Sequence, residues 1–149
     1  MIIETPFGPA WAAIDATGNL QAFGFGDDNG RARGSSEVVA TQIREYCEGR
    51  RTDFDLPLNP AGTTFQKQVW AELCRIPHGT TLSYAQLAER LGRPKASRAV
   101  GRANATNPIA LVVPCHRVIG SDGSLTGYAY GTPLKKQLLD WEKSHAKQA

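Results

Sequence analysis

Residues Ile109-Ala110-Leu111-Val112-Val113-Pro114-Cys115-His116-Arg117-Val118-Ile119-Gly120 decide how the rest of the chain is read. The apolar run from Ile109 to Val113 has the length and β-branched content of a buried strand. Pro114 has no N–H for a ladder and ends or edges that strand. A thiol, an imidazole and a guanidinium follow without a gap. Val118-Ile119 then leads into the turn signal Gly120-Ser121-Asp122-Gly123. On its own Cys115 could pack as a small hydrophobe. Its cationic neighbours argue otherwise, because they lower a thiol's pKa and the thiolate is the nucleophile. Consecutive side chains on a strand point to opposite faces. His116 therefore reaches the sulfur only if the chain turns at Pro114 or a water joins the two, and both are expected.

Upstream of this stretch the pattern is helical. Thr63 or Thr64 caps a helix to Arg75, with Phe65, Val69, Leu73 and Ile76 on one face. Ser83 with Gln86 forms a capping box for a helix over Tyr84 to Leu91. Gly92-Arg93-Pro94 breaks it, and a second helix runs from Lys95 or Ala96 to about Ala105. Two helices joined by a short turn, with cations on or near the second, read as a helix-turn-helix. The second helix is built of small residues (Ala96, Ser97, Ala99, Gly101, Ala103) around Arg98 and Arg102. Small side chains let a helix approach a narrow groove and read little sequence. From Arg90 to Ser121 there is no Asp or Glu, while Arg90, Arg93, Lys95, Arg98, Arg102 and Arg117 add six positive charges to a chain whose net charge is only +3. An anionic partner bound without sequence preference fits this distribution.

Downstream, Gly120 to Gly131 is a Gly-rich loop holding Tyr128 and Tyr130. Thr132-Pro133 opens a last helix to about Ser144, with Leu134, Leu138 and Trp141 inward. By spacing alone Glu142 is a solvated carboxylate of that helix. In the first half, Ile2-Ile3, Trp11 to Ile14 and Leu20 to Phe25 read as short strands. Glu37 to Glu48 reads as a helix with Val39, Ile43 and Cys47 on one face, and Arg51 to Pro60 as an irregular linker. Nothing in this half proposes a site. Cys74-x3-His78 offers two ligands of a metal set that has no others, so no metal is expected.

At 149 residues the chain suits one domain, or two small ones sharing a core. No apolar run approaches the roughly 20 residues of a membrane span. The start Met1-Ile2-Ile3-Glu4 lacks a basic, signal-type leader, and three cysteines without framework spacing fit a reducing cytoplasm. A soluble, cytoplasmic monomer is expected.

Pro114-Cys115-His116-Arg117-Val118-Ile119, preceded by Asn107-Pro108-Ile109, resembles the active-site signature of the O6-alkylguanine-DNA alkyltransferases. The likeness extends to Phe65-Gln66 with Val69-Trp70, Ser83-Tyr84 with Gln86-Leu87-Ala88, Arg98-Ala99-Val100-Gly101, and Gly127-Tyr128. It covers roughly residues 62 to 145, in the family's order. It implies an α+β fold. Residues 1–58 would form a small antiparallel sheet with a helix. Residues 62–149 would form a helical domain with a winged-helix-like helix-turn-helix carrying DNA binding and the active site.

The resemblance implies double-stranded DNA containing O6-alkylguanine as partner, bound through the minor groove by Ala96, Ser97, Arg98, Ala99, Gly101 and Arg102. Arg98 would fill the gap left when the base is turned out of the stack. Tyr84 would help turn out the nucleotide, and Asn107 would tie the DNA-binding unit to the reactive segment. Backbone groups of Cys115, Val118 and Ala129 would bond the base, and Tyr128 would pack on it. Glu142 would orient His116. The family often carries a second glycine where Tyr130 stands, so a narrower pocket is expected. His116, through a water, would take the Cys115 proton; the alkyl carbon would pass to sulfur as a stable thioether, once per molecule and without a cofactor. Two alternatives are a cysteine hydrolase, which would need an oxyanion hole and would turn over, and a non-catalytic damage sensor of the alkyltransferase-like kind, against which the thiol itself argues. A plain helix-turn-helix regulator would explain the basic helix but not Cys115-His116 with Glu142.

Overall fold

The computed structural model describes residues 1–145. Residues 146–149, the end of the expected second domain, lie outside the described residues.

The three N-terminal strands form as their alternation and turns predict. β1 (Ile2–Thr5), β2 (Gly8–Ile14) and β3 (Leu20–Phe25) make an antiparallel sheet in the order β1-β2-β3. Asp15 closes the second turn by accepting from the backbone N–H groups of Thr17 and Asn19. α1 (Glu37–Cys47) follows, capped by Ser36, and buries Val39, Gln42, Ile43 and Tyr46. The linker after it is irregular but fixed. Gln42 and Asp55 exchange two hydrogen bonds, and the linker bonds both backbone groups of Leu20 through Pro57 and Asn59.

The helical half begins with α2 (Thr64–Leu73) and α3 (Tyr84–Arg90). Each starts at a complete capping box, Thr63–Gln66 and Ser83–Gln86. Gly92 ends α3 in the left-handed region, with Arg93 N–H returning to Ala88 O. α4 (Ser97–Ala105) begins two residues later than the earliest expected start, and Ala96 at its cap makes no side-chain hydrogen bond. β4 (Leu82–Ser83) and β5 (Val118–Ile119) form a short parallel pair, and α5 (Thr132–His145) closes the chain.

Ile109 to Val113 is not a strand. Only Ile109 pairs, in a single bridge to Phe23 of β3. The run then folds on itself, with Val113 N–H bonding Ile109 O and Leu111 at φ +69°. Asn107 is the cause. Its side chain accepts from Ile109 N–H and donates to the carbonyls of Ile109 and Val113, supplying the partners a neighbouring strand would. The segment stays fully buried as irregular backbone, which its internal bonds make tolerable. One hydrophobic core runs from the sheet and α1 through α2, α3 and α4 to this segment and Leu138. The first half thus forms the floor on which the reactive segment rests.

Candidate active site

The expected turn at Pro114 is present: Cys115–Arg117 is a single 3₁₀ turn. It directs His116 and Arg117 inward onto Glu142 of α5. His116 Nε2 lies 2.8 Å from Glu142 Oε2. Arg117 donates to both carboxylate oxygens, Nε to Oε1 at 2.8 Å and Nη2 to Oε2 at 2.9 Å, and its Nη1 donates to Ile76 O at 2.7 Å. Tyr46 Oη, from α1, donates to Glu142 Oε2 at 2.7 Å. Tyr46, His116 and Glu142 are each 0% exposed and Arg117 5%, so no solvent screens the network.

Burial alone would raise the Glu142 pKa. The charge and hydrogen bond of His116, followed by those of Arg117, outweigh it and hold the carboxyl well below the usual carboxylate range. An ionised carboxylate can only accept, so Nε2 of His116 carries a proton, and in the neutral imidazole the lone pair lies on Nδ1. Nδ1 is buried and bonds no other group among the described residues. A carboxylate-held imidazole one residue from a thiol is an arrangement that can orient and supply a base.

The expectation that His116 and Arg117 lower the Cys115 pKa is corrected. Burial raises it; the side-chain hydrogen bond from Asn107 and the charge of Lys135 only partly offset this. Arg117 is engaged by Glu142 and Ile76 O. Cys115, 7% exposed, thus holds its proton more tightly than an ordinary thiol.

Tyr84 stands between this site and α4. Its ring lies over Gly101, where a Cβ would sit 3.7 Å away, and its hydroxyl donates to Thr126 O at 3.1 Å. Gly127, at φ +74°, leaves room for that hydroxyl. Tyr84, Ser97, Arg98, Gly101, Arg102 and Ala105 line an open, mainly apolar groove of about 490 Å³. Arg98 and Arg102 are exposed beside it, while Ala96, at the helix cap, and Ala99 are half-buried. Asn107 holds the segment leading to Cys115, as described above. Tyr128 is buried and meets Tyr130 edge-on, and Tyr130 in turn meets Phe25 of β3. Ala129 between them is exposed. Val118 is buried, and its carbonyl accepts from Lys135 Nζ at 2.6 Å.

Three participants went unread in the sequence. Tyr46 was invisible because its partner is far away in the chain. Asn104, fully inside α4, donates to Cys115 O at 3.4 Å. Lys135 is buried and bonds the Val118 and Thr126 carbonyls. A signal for Lys135 existed. The buried stripe of α5 is Lys135, Leu138 and Glu142, not Leu134, Leu138 and Trp141, and two opposite charges at helical spacing flank its one leucine.

A buried cysteine, a carboxylate-held imidazole and a cationic helix-turn-helix on one α+β scaffold define a class of DNA-handling proteins with a cysteine nucleophile. Comparison with known proteins makes the class specific. A family model described as "6-O-methylguanine DNA methyltransferase, DNA binding domain" matches residues 64–144. The chain is 44% identical over 153 residues to the methylated-DNA–protein-cysteine methyltransferase of Methanosarcina barkeri, covering 97% of this chain and 96% of that protein. The crystal structure of the Mycobacterium tuberculosis O6-methylguanine methyltransferase superimposes with a TM-score of 0.87 at 40% identity, over 97% of this chain and 92% of that one. The M. tuberculosis OGT in complex with DNA gives a TM-score of 0.88 at the same identity and coverage. This chain belongs to the methylated-DNA–protein-cysteine methyltransferase family.

Proposed function

We propose that this protein repairs DNA by moving the alkyl group of O6-alkylguanine onto Cys115, once per molecule. The observation that carries the reading is the buried Glu142–His116 pair, which fixes an imidazole one residue along from Cys115, the buried one of the three cysteines. α4 meets duplex DNA at the minor groove through Ala96, Ser97, Ala99 and Gly101, with Arg102 on the phosphates. Arg98 takes the space of the extruded nucleotide, and Tyr84 guides it toward the loop of Tyr128 and Ala129. Residues 1–58 act as the supporting unit, and the protein acts as a monomer.

His116 Nδ1 accepts the Cys115 proton through a water. The thiolate attacks the alkyl carbon, the S–C bond forms as the C–O6 bond breaks, and the electron pair leaves on guanine. Hydrogen bonds from the protein stabilise that leaving charge, and the proton passed to His116 returns to the base. Buried Lys135 favours the thiolate when it forms and cannot compete as a nucleophile, because its ammonium is bonded to Val118 O and Thr126 O. The thioether has no leaving group that water could displace, so the protein is consumed.

A duplex bearing one O6-methylguanine tests this. Digestion and chromatography should show guanine restored with one equivalent of damage removed per protein chain. Continued removal by substoichiometric protein, or binding without removal, would reject the proposal.

A further inference from the structure

The first half of the chain contributes to the site in a way its role as a floor does not explain. Tyr46 is fully buried at the end of α1, and its hydroxyl donates to the same carboxylate oxygen that receives His116 Nε2. Its ring cannot swing away. Phe54 stacks on it at 5.5 Å and His78 meets it edge-on at 5.9 Å, both from segments that pack against α1. A core tyrosine needing only a partner could use a backbone carbonyl. This one reaches across the fold to the group that sets the imidazole's tautomer.

We infer that Tyr46 is a positioning residue of the alkyl-transfer reaction: its hydroxyl, donating to Glu142 Oε2 alongside His116 Nε2 and Arg117 Nη2, holds the carboxylate in place and so sets both the orientation and the basicity of His116. The inference rests on the proposed alkyl transfer for its meaning in catalysis, but the geometry does not.

Each donor to Glu142 stabilises its negative charge and weakens its pull on an imidazolium. Arg117 supplies two donors and Tyr46 one. Removing the Tyr46 hydroxyl leaves a more basic carboxylate, with two donors on Oε2 in place of three. His116 then holds a proton more tightly and is held less firmly in place. Other titratable groups face this cluster: His78 from the α2–β4 turn, whose pKa burial depresses, Cys47 next to Tyr46, Tyr128 from the pocket loop, and His145 one turn on along α5. None of them donates to the carboxylate.

The test uses the full chain with Tyr46→Phe, which removes one oxygen and keeps the ring. Single-turnover methyl transfer from an O6-methylguanine duplex is followed by intact mass across the neutral pH range, and His116 and His78 are titrated by imidazole ¹⁵N shifts. Transfer near neutral pH should fall about three- to tenfold. The acid limb of the profile and the His116 titration should both move up by about half a pH unit, with His78 unmoved. A difluorotyrosine at position 46, a stronger donor that keeps the native shape, should move both the other way, and it decides the matter if the phenylalanine variant folds poorly. A uniform loss at every pH with an unmoved His116 titration overturns the inference, as does an unchanged rate. Should the wild type transfer no methyl at all, the functional proposal fails, while the ¹⁵N titrations still decide what Tyr46 does to His116.

Discussion

Helix α4 and the turn bearing Cys115 are neighbours in the chain and opposites in their use of charge. Arg98 and Arg102 stand in solvent beside an apolar groove, free to meet an anion. His116, Arg117 and Glu142 are sealed from water and satisfy one another, with Tyr46 and Ile76 O completing the set. Exposed charge gives reach and salt-sensitive attraction at little cost to the fold. Buried charge gives a fixed proton position, but each member depends on every other. The same residue types are therefore suited to binding in one place and to chemistry in the other. Arg117, which adds to the basic stretch in the sequence, belongs to the second group and is almost wholly withdrawn from the outer surface.

This contrast can be broken most forcefully at Glu142. Glu142→Gln leaves Arg117 buried without a counter-charge, and should lower unfolding free energy by about 3–5 kcal/mol in urea titrations. Its pH dependence has a definite sign. The folded carboxyl pKa is depressed, so its contribution is present above the ordinary carboxylate range and is lost as pH falls through and below it. The wild type should therefore lose stability on acidification more steeply than the variant.

Packing without charge gives the next effect. A Cβ on Gly24 would run into the Tyr130 hydroxyl and lie 2.5 Å from the Trp11 ring. Gly24→Ala should cost about 1–3 kcal/mol in thermal or urea unfolding, and should loosen the pocket wall that Tyr130 braces, seen as faster hydrogen exchange in the loop of Tyr128.

At the exposed site the expected loss is in affinity, not stability. Arg98→Ala should weaken duplex binding about tenfold and reduce its salt dependence, while unfolding free energy stays within about 0.5 kcal/mol of wild type. Reaction with free O6-alkylguanine base should be unchanged, since no duplex gap needs filling. The smallest effect belongs to the local frame: Ser83→Ala removes the capping box of α3 and should cost about 1 kcal/mol.

The contrast also explains what the sequence made legible. The strands, the capping boxes at Thr63 and Ser83 and the cationic helix are local patterns, and they stand where alternation, caps and charge put them. Glu142 needed a family resemblance, because by spacing it is one more helix carboxylate. Ile109 to Val113 misread as a strand because its composition is a strand's; Asn107, an adjacent polar side chain, replaces the missing neighbour. Tyr46 and the raised Cys115 pKa were out of reach, since both arise from packing between segments remote in sequence.

The central claim is that Cys115 itself accepts the alkyl group. Intact-protein and peptide mass measurement after mixing with equimolar O6-methylguanine duplex tests it most directly. A gain of one methylene per chain is expected, confined to the peptide holding Cys115 and absent in Cys115→Ser. An unmodified Cys115 alongside restored guanine, or the added mass on Cys47 or Cys74, would contradict it.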